Sequence, residues 1–233
     1  MSSILTNDAR IEFAKLLKNS TLHLAWGSGN PDWGKDVETT RTFSVGGTIN
    51  LNYPNVGSVV VAPASGGTAF NNGSDYTVNY QTGIITRNPS GSIGANLSLK
   101  INFHVRPAPA SVASHDLLNE VGRKLIVNKQ FAVPNSEGDI EVETGTFSLS
   151  PGNAPTPHLF IEVAFLPSEA PDASIRELGV FLGTVPVTGL PGGQQYFSAA
   201  QVATKGTLVT LHNIETIVRN NTSRETFRLV ITL

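Results

Sequence analysis

The chain has 233 residues, of which 15% are charged, 39% are hydrophobic and none is cysteine. The lack of cysteine excludes disulfides, thiolate nucleophiles and cysteine-ligated zinc, and a net charge of −2 provides no basic field to attract nucleic acid or anionic membrane. With 22 glycines, 14 prolines and so little charge, the composition disfavours helical bundles and coiled coils and favours a β-rich protein.

The N-terminal segment predicts a helix followed by a strand. Apolar residues recur at helical spacing over residues 8–19, and one of Thr6, Asn7 and Asp8 caps the helix. A short strand over residues 21–26 then ends in a glycine-rich turn.

Two tryptophans flank that turn, which has the sequence GSGNP over residues 27–31. Trp26 and Trp33 in this layout could anchor a partner protein or stack on a sugar. The alternative is that both rings fold back over the first helix as core aromatics. Three acidic residues that follow, Asp32, Asp36 and Glu38, could bind a cation through oxygen ligands, although an acidic solvated loop is the preferred interpretation.

The sequence pattern of residues 42–106 is typical of a separate β-module. Short predicted strands alternate with turns, at residues 49–53, 56–61, 76–80, 83–87 and 97–105. The segment carries few charges, so we expect a small β-sandwich with a polar, uncharged surface. Tyr53, Tyr76 and Tyr80 could stack on sugars, and Tyr76 and Tyr80 have the same strand parity.

After a Pro/Ala linker, the pattern predicts a second helix over residues 114–127, from a stripe of Leu117, Leu118, Val121 and Leu125. Strands then follow at residues 129–133, 140–142, 145–149, 158–166, 175–182, 207–217 and 226–233. The predicted fold class is therefore α+β and β-rich. A platform of two helices and antiparallel strands, residues 1–41 and 107–233, carries residues 42–106 as an inserted β-sandwich.

No pattern in the chain supports catalysis, a cofactor or a metal. The five histidines show no metal-ligand spacing, and the glycine-rich turns match neither a phosphate-binding loop nor a nucleophile elbow. Glu141 and Glu143 alternate on one strand face, where a solvated surface is the preferred interpretation over acid–base chemistry. No apolar run is long enough to insert in a membrane, and Met1 to Asp8 lacks the pattern of a secretory signal. We therefore expect a non-enzyme.

Several short segments resemble the attachment regions of tail-collar and tail-fibre proteins of tailed bacteriophages. In chain order they are LTNDAR (5–10), AWGSG (25–29), LNEVGRK (118–124), IRELGVF (175–181) and QYF (195–197). The third resembles the family's L-x-E-x-G-R-R element, and the fourth resembles its I-R-E-x-G-[VL]-F strand. A further segment, GSDYTVNYQTGII (73–85), resembles a β-module that recurs in phage structural proteins. Tail-fibre proteins usually continue into a shaft and a receptor-binding tip, so we expect this chain to be an attachment platform or a small baseplate component.

The resemblance implies a structural virion protein of the phage tail, at the baseplate or the tail-fibre attachment point. Expected partners are other tail or baseplate proteins and further copies of the chain in a homo-oligomer. Arg176 and Glu177, on the resembling strand, could form a charge pair at a subunit contact, and the Trp26–Trp33 loop could form another. We expect synthesis in the host bacterial cytoplasm and a location in the virion tail.

Two alternatives remain open from the sequence. The first is a collar protein of the head–tail neck. The second is a carbohydrate-binding module that recognises a host surface glycan through the tyrosines of residues 42–106.

Overall fold

Antiparallel strands dominate the computed structural model, which describes residues 4–44 and 46–233. The chain divides into two units. The first extends to Gly29 and continues over Ser111–His212 and Ile217–Leu233, and the second comprises Asn30–Ala110 with Asn213–Thr216. Met1 to Ser3, part of the segment for which we expect no secretory signal, and Val45 of the predicted module lie outside the described residues.

The first unit begins with helix α1 (Asn7–Asn19) and strand β1 (Leu22–Gly27). Both predictions for this segment are confirmed. The hydroxyl oxygen of Thr6 accepts a hydrogen bond from the amide of Ala9 at 3.3 Å and so caps the helix. Every residue of β1 is buried, which places this strand in the middle of the unit's core.

The second unit contains two three-stranded sheets, ordered β2-β7-β4 and β3-β6-β5. The strands are β2 (Asp36–Arg41), β3 (Thr48–Asn50), β4 (Val56–Pro63), β5 (Tyr76–Asn79), β6 (Ile84–Arg87) and β7 (Leu99–Val105). One apolar cluster fills the unit and includes Val61, Ile85 and Ile101.

Strand β2 corrects the interpretation of Asp36 and Glu38 as part of an acidic loop. Both residues lie on this strand, where Asp36 contacts His104 at 2.9 Å and Glu38 contacts Lys100 at 2.7 Å. The sequence did not predict this strand, because a strand at the edge of its sheet with almost no apolar residues lacks the alternating apolar pattern.

The remaining strands return to the first unit. They are β8 (Glu120–Leu125), β9 (Asn128–Pro134), β10 (Ile140–Val142), β11 (Gly145–Leu149), β12 (His158–Phe165), β13 (Ser174–Leu182), β14 (Val185–Pro186), β15 (Tyr196–Ser198), β16 (Val202–Thr204), β17 (Thr207–Val218) and β18 (Glu225–Thr232). They form two five-stranded sheets, ordered β15-β8-β1-β13-β17 and β10-β11-β9-β12-β18, with β14 and β16 as a separate pair.

The predicted second helix is wrong. Residues 120–125 form strand β8, which pairs antiparallel with β1 on one side and β15 on the other. Within the described residues α1 is the only α-helix, accompanied by short 3₁₀ turns at Pro151–Asn153 and Ala199–Gln201. No helix in that part of the chain is long and apolar enough to cross a membrane.

Strand pairing brings the phage-like segments together. β1 lies between β8 and β13, so that Ala25 is opposite both Arg123 and Gly179, and Gly27 is opposite both Glu120 and Glu177. Segments that are far apart in the sequence therefore meet at the end of β1.

Candidate functional site

The loop that follows β1 is held by side chains from the β8 and β13 segments. The side-chain amide of Asn119 donates to the hydroxyl of Ser28 at 2.6 Å, and the Ser28 amide donates to the Asn119 carbonyl at 2.8 Å. From β13, Arg176 donates through Nη1 to the carbonyl of Ser28 at 3.0 Å. We call residues 27–29 with Asn119, Arg176 and Glu177 the loop clasp.

Glu177 is the buried member of the loop clasp, with 1% of its surface exposed. Its carboxylate accepts the backbone amide of Leu118 at 3.1 Å and that of Asn119 at 3.5 Å. A Cβ at position 27 would lie 2.7 Å from Oε2 of Glu177 and 3.0 Å from the carbonyl oxygen of Asn119, so a larger residue there would displace the carboxylate. In this conformation the carboxylate of Glu177 serves to fix the start of β8.

Two further cations on β8 are paired inside the first unit. Arg123 is fully buried, and its guanidinium forms two hydrogen bonds of 2.7 Å with Glu120 while lying 4.3 Å from the ring centre of Phe181. Lys124 donates to both carboxylate oxygens of Glu169 at 2.8 Å. Each buried charge has its counter-charge, which avoids the large cost of an unpaired buried ion.

The two tryptophans belong to the cores of different units. The Trp26 ring is fully buried and stacks on Phe165 with ring centres 3.6 Å apart, while the guanidinium of Arg219 lies 5.0 Å from it. Trp33 is 6% exposed and belongs to the apolar cluster of the second unit, where its carbonyl accepts the hydroxyl of Thr216 at 3.1 Å. The Trp26 side chain therefore has no surface for a partner, and Trp33 has very little.

The three tyrosines of the second unit differ in exposure. Tyr76 is 2% exposed and burial raises the pKa of its hydroxyl, while Tyr53 packs on Phe103 with ring centres 5.6 Å apart. Tyr80 is 41% exposed, and its hydroxyl accepts a hydrogen bond from Asn72 at 3.0 Å. Of the three, Tyr80 has the ring most open to a ligand.

Burial in the core lowers the pKa of the histidine on β1. His23 is 3% exposed, and burial, followed by the positive charge of Arg123, lowers its pKa to about 4. Burial also lowers the pKa of His158 and of His212. No group of three or more His, Asp and Glu residues in the described ranges is arranged to hold a metal ion.

Sequence reasoning identified Arg176 and Glu177 but missed Asn119, Arg123 and Glu120, which complete the arrangement around β1. The signal was available in the segment LNEVGRK, which contains all three, but assigning a helix to it placed them away from β1.

Comparison with known protein families identifies the chain. A model of the family described as baseplate wedge 3 tail fiber network component matches residues 102–233, which is more than half of the chain. The matched region contains three of the segments on which the phage resemblance was based, at β8, β13 and β15, whereas β1 lies outside it. A search of curated proteins found no match. The chain thus belongs to the baseplate wedge 3 tail fiber network component family and is a structural protein of the bacteriophage tail baseplate.

Proposed function

We propose that the chain acts as an attachment component of the baseplate and self-assembles into a homo-oligomer. In this proposal the platform of residues 1–41 and 107–233 docks on the tail, and the inserted β-module at residues 42–106 projects toward a neighbouring subunit, a fibre or the host surface. The observation that carries the proposal is the family match over residues 102–233, most of which belong to the first unit.

The loop clasp offers a physical basis for a contact. Leu118 is 70% exposed, yet its backbone amide is held by the buried carboxylate of Glu177. An exposed apolar side chain on a fixed backbone costs little conformational entropy when it is buried by a partner. We infer that Leu118 and Arg176 form part of the assembly surface, while Trp26 and Glu177 support it from inside.

Light scattering on the purified chain tests self-assembly. We expect one closed oligomer for the full chain, the same oligomer when residues 30–110, the continuous part of the second unit, are replaced by a short Gly/Ser linker, and monomers for Leu118→Asp. Leu149→Asp, on an exposed position of β11, is the matched control and leaves the oligomer intact. Monomers of the unmodified chain at micromolar concentration would contradict self-assembly.

A second candidate function, recognition of a neutral host glycan, is supported by one sheet face of the second unit. The exposed face of β3-β6-β5 consists of Thr48, Asn50, Thr77, Asn79, Ile84 and Thr86. Between Thr42 and Leu99 the only charged residues are Asp75 and Arg87. Asp75 accepts the amides of Asn71 and Ser92 at 2.8 Å, and Arg87 donates to the carbonyl of Ile93 at 3.1 Å.

This face offers hydroxyl and amide groups without charge, which is the chemistry that a neutral polysaccharide can match. The exposed ring of Tyr80 follows directly after β5 and could stack on a sugar. A glycan array probed with the full chain tests this function. Binding to neutral glycans that Thr86→Lys and Tyr80→Ala both abolish would support it, and no binding to any neutral glycan would reject it.

A further inference from the structure

A groove of about 380 Å³ in the first unit lies between the end of β8 and the end of β12. Lys124 and Val127 line it from the β8 side, and Val163, Ala164 and Leu166 line it from the β12 side. We call it the β8–β12 groove. It is separate from the loop clasp, because none of the loop clasp residues lines it.

One wall of this groove is an open strand edge. β18 pairs with β12 along its whole length, as far as Phe165, whereas β9 pairs with it only from His158 to Glu162. Among the described residues, the segment 163–165 therefore has no neighbouring strand on its β9 side. Ala164 is the residue of this segment whose amide and carbonyl face that side, because the amide and carbonyl of Phe131, opposite Leu159, bond away from β12 and the pairing alternates along the strand. Open strand edges bind extended peptides through main-chain hydrogen bonds.

The groove is also apolar at its rim. Val127 is 66% exposed and Leu166 is 47% exposed, while Val163 is 4% exposed and belongs to the core. Exposed apolar side chains beside an open strand edge provide positions for alternate side chains of an added strand.

One cation of the groove, Arg224, has no negatively charged partner within residues 4–44 and 46–233. Lys124 is paired with Glu169, and Glu162 is paired with Arg228 at 2.8 Å. Arg224 also lines the groove and is exposed, and within the part of the chain that the structure describes it makes no hydrogen bond or ion pair. The groove therefore complements a ligand that carries a negative charge.

We propose that the β8–β12 groove binds an extended, apolar segment of another baseplate protein, which adds as a strand beside residues 163–165 and places a carboxylate on Arg224. The proposal rests on the proposed function, in that it assumes a role in protein–protein assembly. It adds the partner's chemistry: main-chain amides for the strand edge, apolar side chains for Val127 and Leu166, and one acidic group.

The test uses the full chain and a synthetic library of fluorescent octapeptides that alternate apolar and polar residues, each made with and without an acidic residue. We expect acidic members to bind with micromolar affinity and their neutral counterparts at least tenfold more weakly. Arg224→Glu and Val127→Asp should each weaken binding at least tenfold. Arg41→Glu, which changes an exposed cation of the second unit, is the matched control and should leave binding unchanged.

Main-chain pairing is tested on the peptide, so that misfolding of a variant cannot imitate the result. N-methylation of alternate amides should abolish binding in one register and spare it in the other. The proposal is overturned if no acidic peptide binds more tightly to the unmodified chain than to Arg224→Glu, or if N-methylation has no effect in either register. It is also overturned if Arg224→Glu dissociates the homo-oligomer, because the occupant is then a second copy of the chain.

The peptide-binding outcomes are independent of the light-scattering test of self-assembly. If the chain is a monomer that binds peptide, the groove proposal stands and self-assembly is rejected. If it is an oligomer that binds no peptide, self-assembly stands and the groove proposal is rejected.

Discussion

Buried charged residues of the first unit stabilise the fold only through their partners, and Glu177 is the clearest case. Its carboxylate is the acceptor for the backbone amides of Leu118 and Asn119. In Glu177→Ala both backbone amides lose this acceptor, so we expect the free energy of unfolding to fall by about 2–4 kcal/mol. Glu177→Gln retains a carbonyl acceptor and should lose roughly half as much. Urea denaturation monitored by circular dichroism measures both.

The control is Glu141→Ala, because Glu141 is exposed on β10. It should change the stability by less than about 0.5 kcal/mol. If Glu177→Ala behaves like this control, the carboxylate does not hold the start of β8.

His23 makes stability depend on pH in a defined direction. Its pKa is about 4 in the folded chain, against about 6.5 for a histidine that is exposed to water. Between these values the unfolded chain binds more protons, so stability rises with pH. The contribution is complete above about pH 6.5 and is lost as the pH falls toward 4, for a total of about 3 kcal/mol.

Replacing the ring tests this dependence. His23→Leu should flatten the stability profile between pH 4 and 6.5, leaving a smaller slope from His158 and His212, whose pKa values are also lowered by burial. His115→Leu, at an exposed position, is the matched control and should keep the profile of the unmodified chain. A slope that is identical in both variants would contradict the assignment to His23.

At the level of elements, β8 depends on a close approach that only glycine allows. A Cβ at Gly122 would lie 2.8 Å from the carbonyl oxygen of Phe197 on β15, and it would also meet the hydroxyl of Tyr196. Gly122→Ala must therefore push β15 away from β8, and we expect a loss of about 2–4 kcal/mol in urea denaturation.

Gly192→Ala is the matched control, since a Cβ at that position meets nothing within 4 Å. It should leave the stability unchanged or raise it slightly, because alanine restricts the unfolded chain. If the two variants have equal stability, β15 can move away from β8 without lowering the free energy of unfolding.

Helix α1 and strand β8 show where the sequence predicts secondary structure and where it does not. Helix α1 was predictable because its cap at Thr6 and its apolar spacing are local signals. The segment of β8 also has helical spacing of leucines, but its identity is decided by pairing with β1 and β15, which the local pattern does not contain. Buried Lys124 hides the strand further, because its counter-charge, Glu169, is 45 residues away in the sequence and is brought close only by the fold.

Only some members of the candidate site were predictable from the sequence, and their roles were not. The Arg176–Glu177 segment was identified by resemblance, and the structure joins it to Ser28 and Asn119. For Trp26, which borders a glycine turn, the sequence left open both a partner contact and a position in the core. The turn lies at the end of a fully buried strand, and the ring points into the core.

For the whole molecule, the two units have separate apolar cores but share one strand. Residues 213–216 lie within β17, yet they belong to the second unit: the side chain of Asn213 donates to the carbonyl of Ala108 at 2.7 Å, and Thr216 donates to the carbonyl of Trp33. This division predicts that local stability along β17 follows two different cores.

Hydrogen exchange with a core substitution in each unit tests that division. Leu24 and Ile101 are both fully buried, so truncating either to alanine costs about 2–5 kcal/mol. Leu24→Ala should accelerate exchange in β8 and β13, and Ile101→Ala should accelerate it in β4 and β7. Amides of residues 213–216 should follow Ile101→Ala, because their partners belong to that core, while residues 207–212 follow Leu24→Ala. If both variants accelerate exchange equally along all of β17, the chain unfolds as one cooperative unit and the division is wrong.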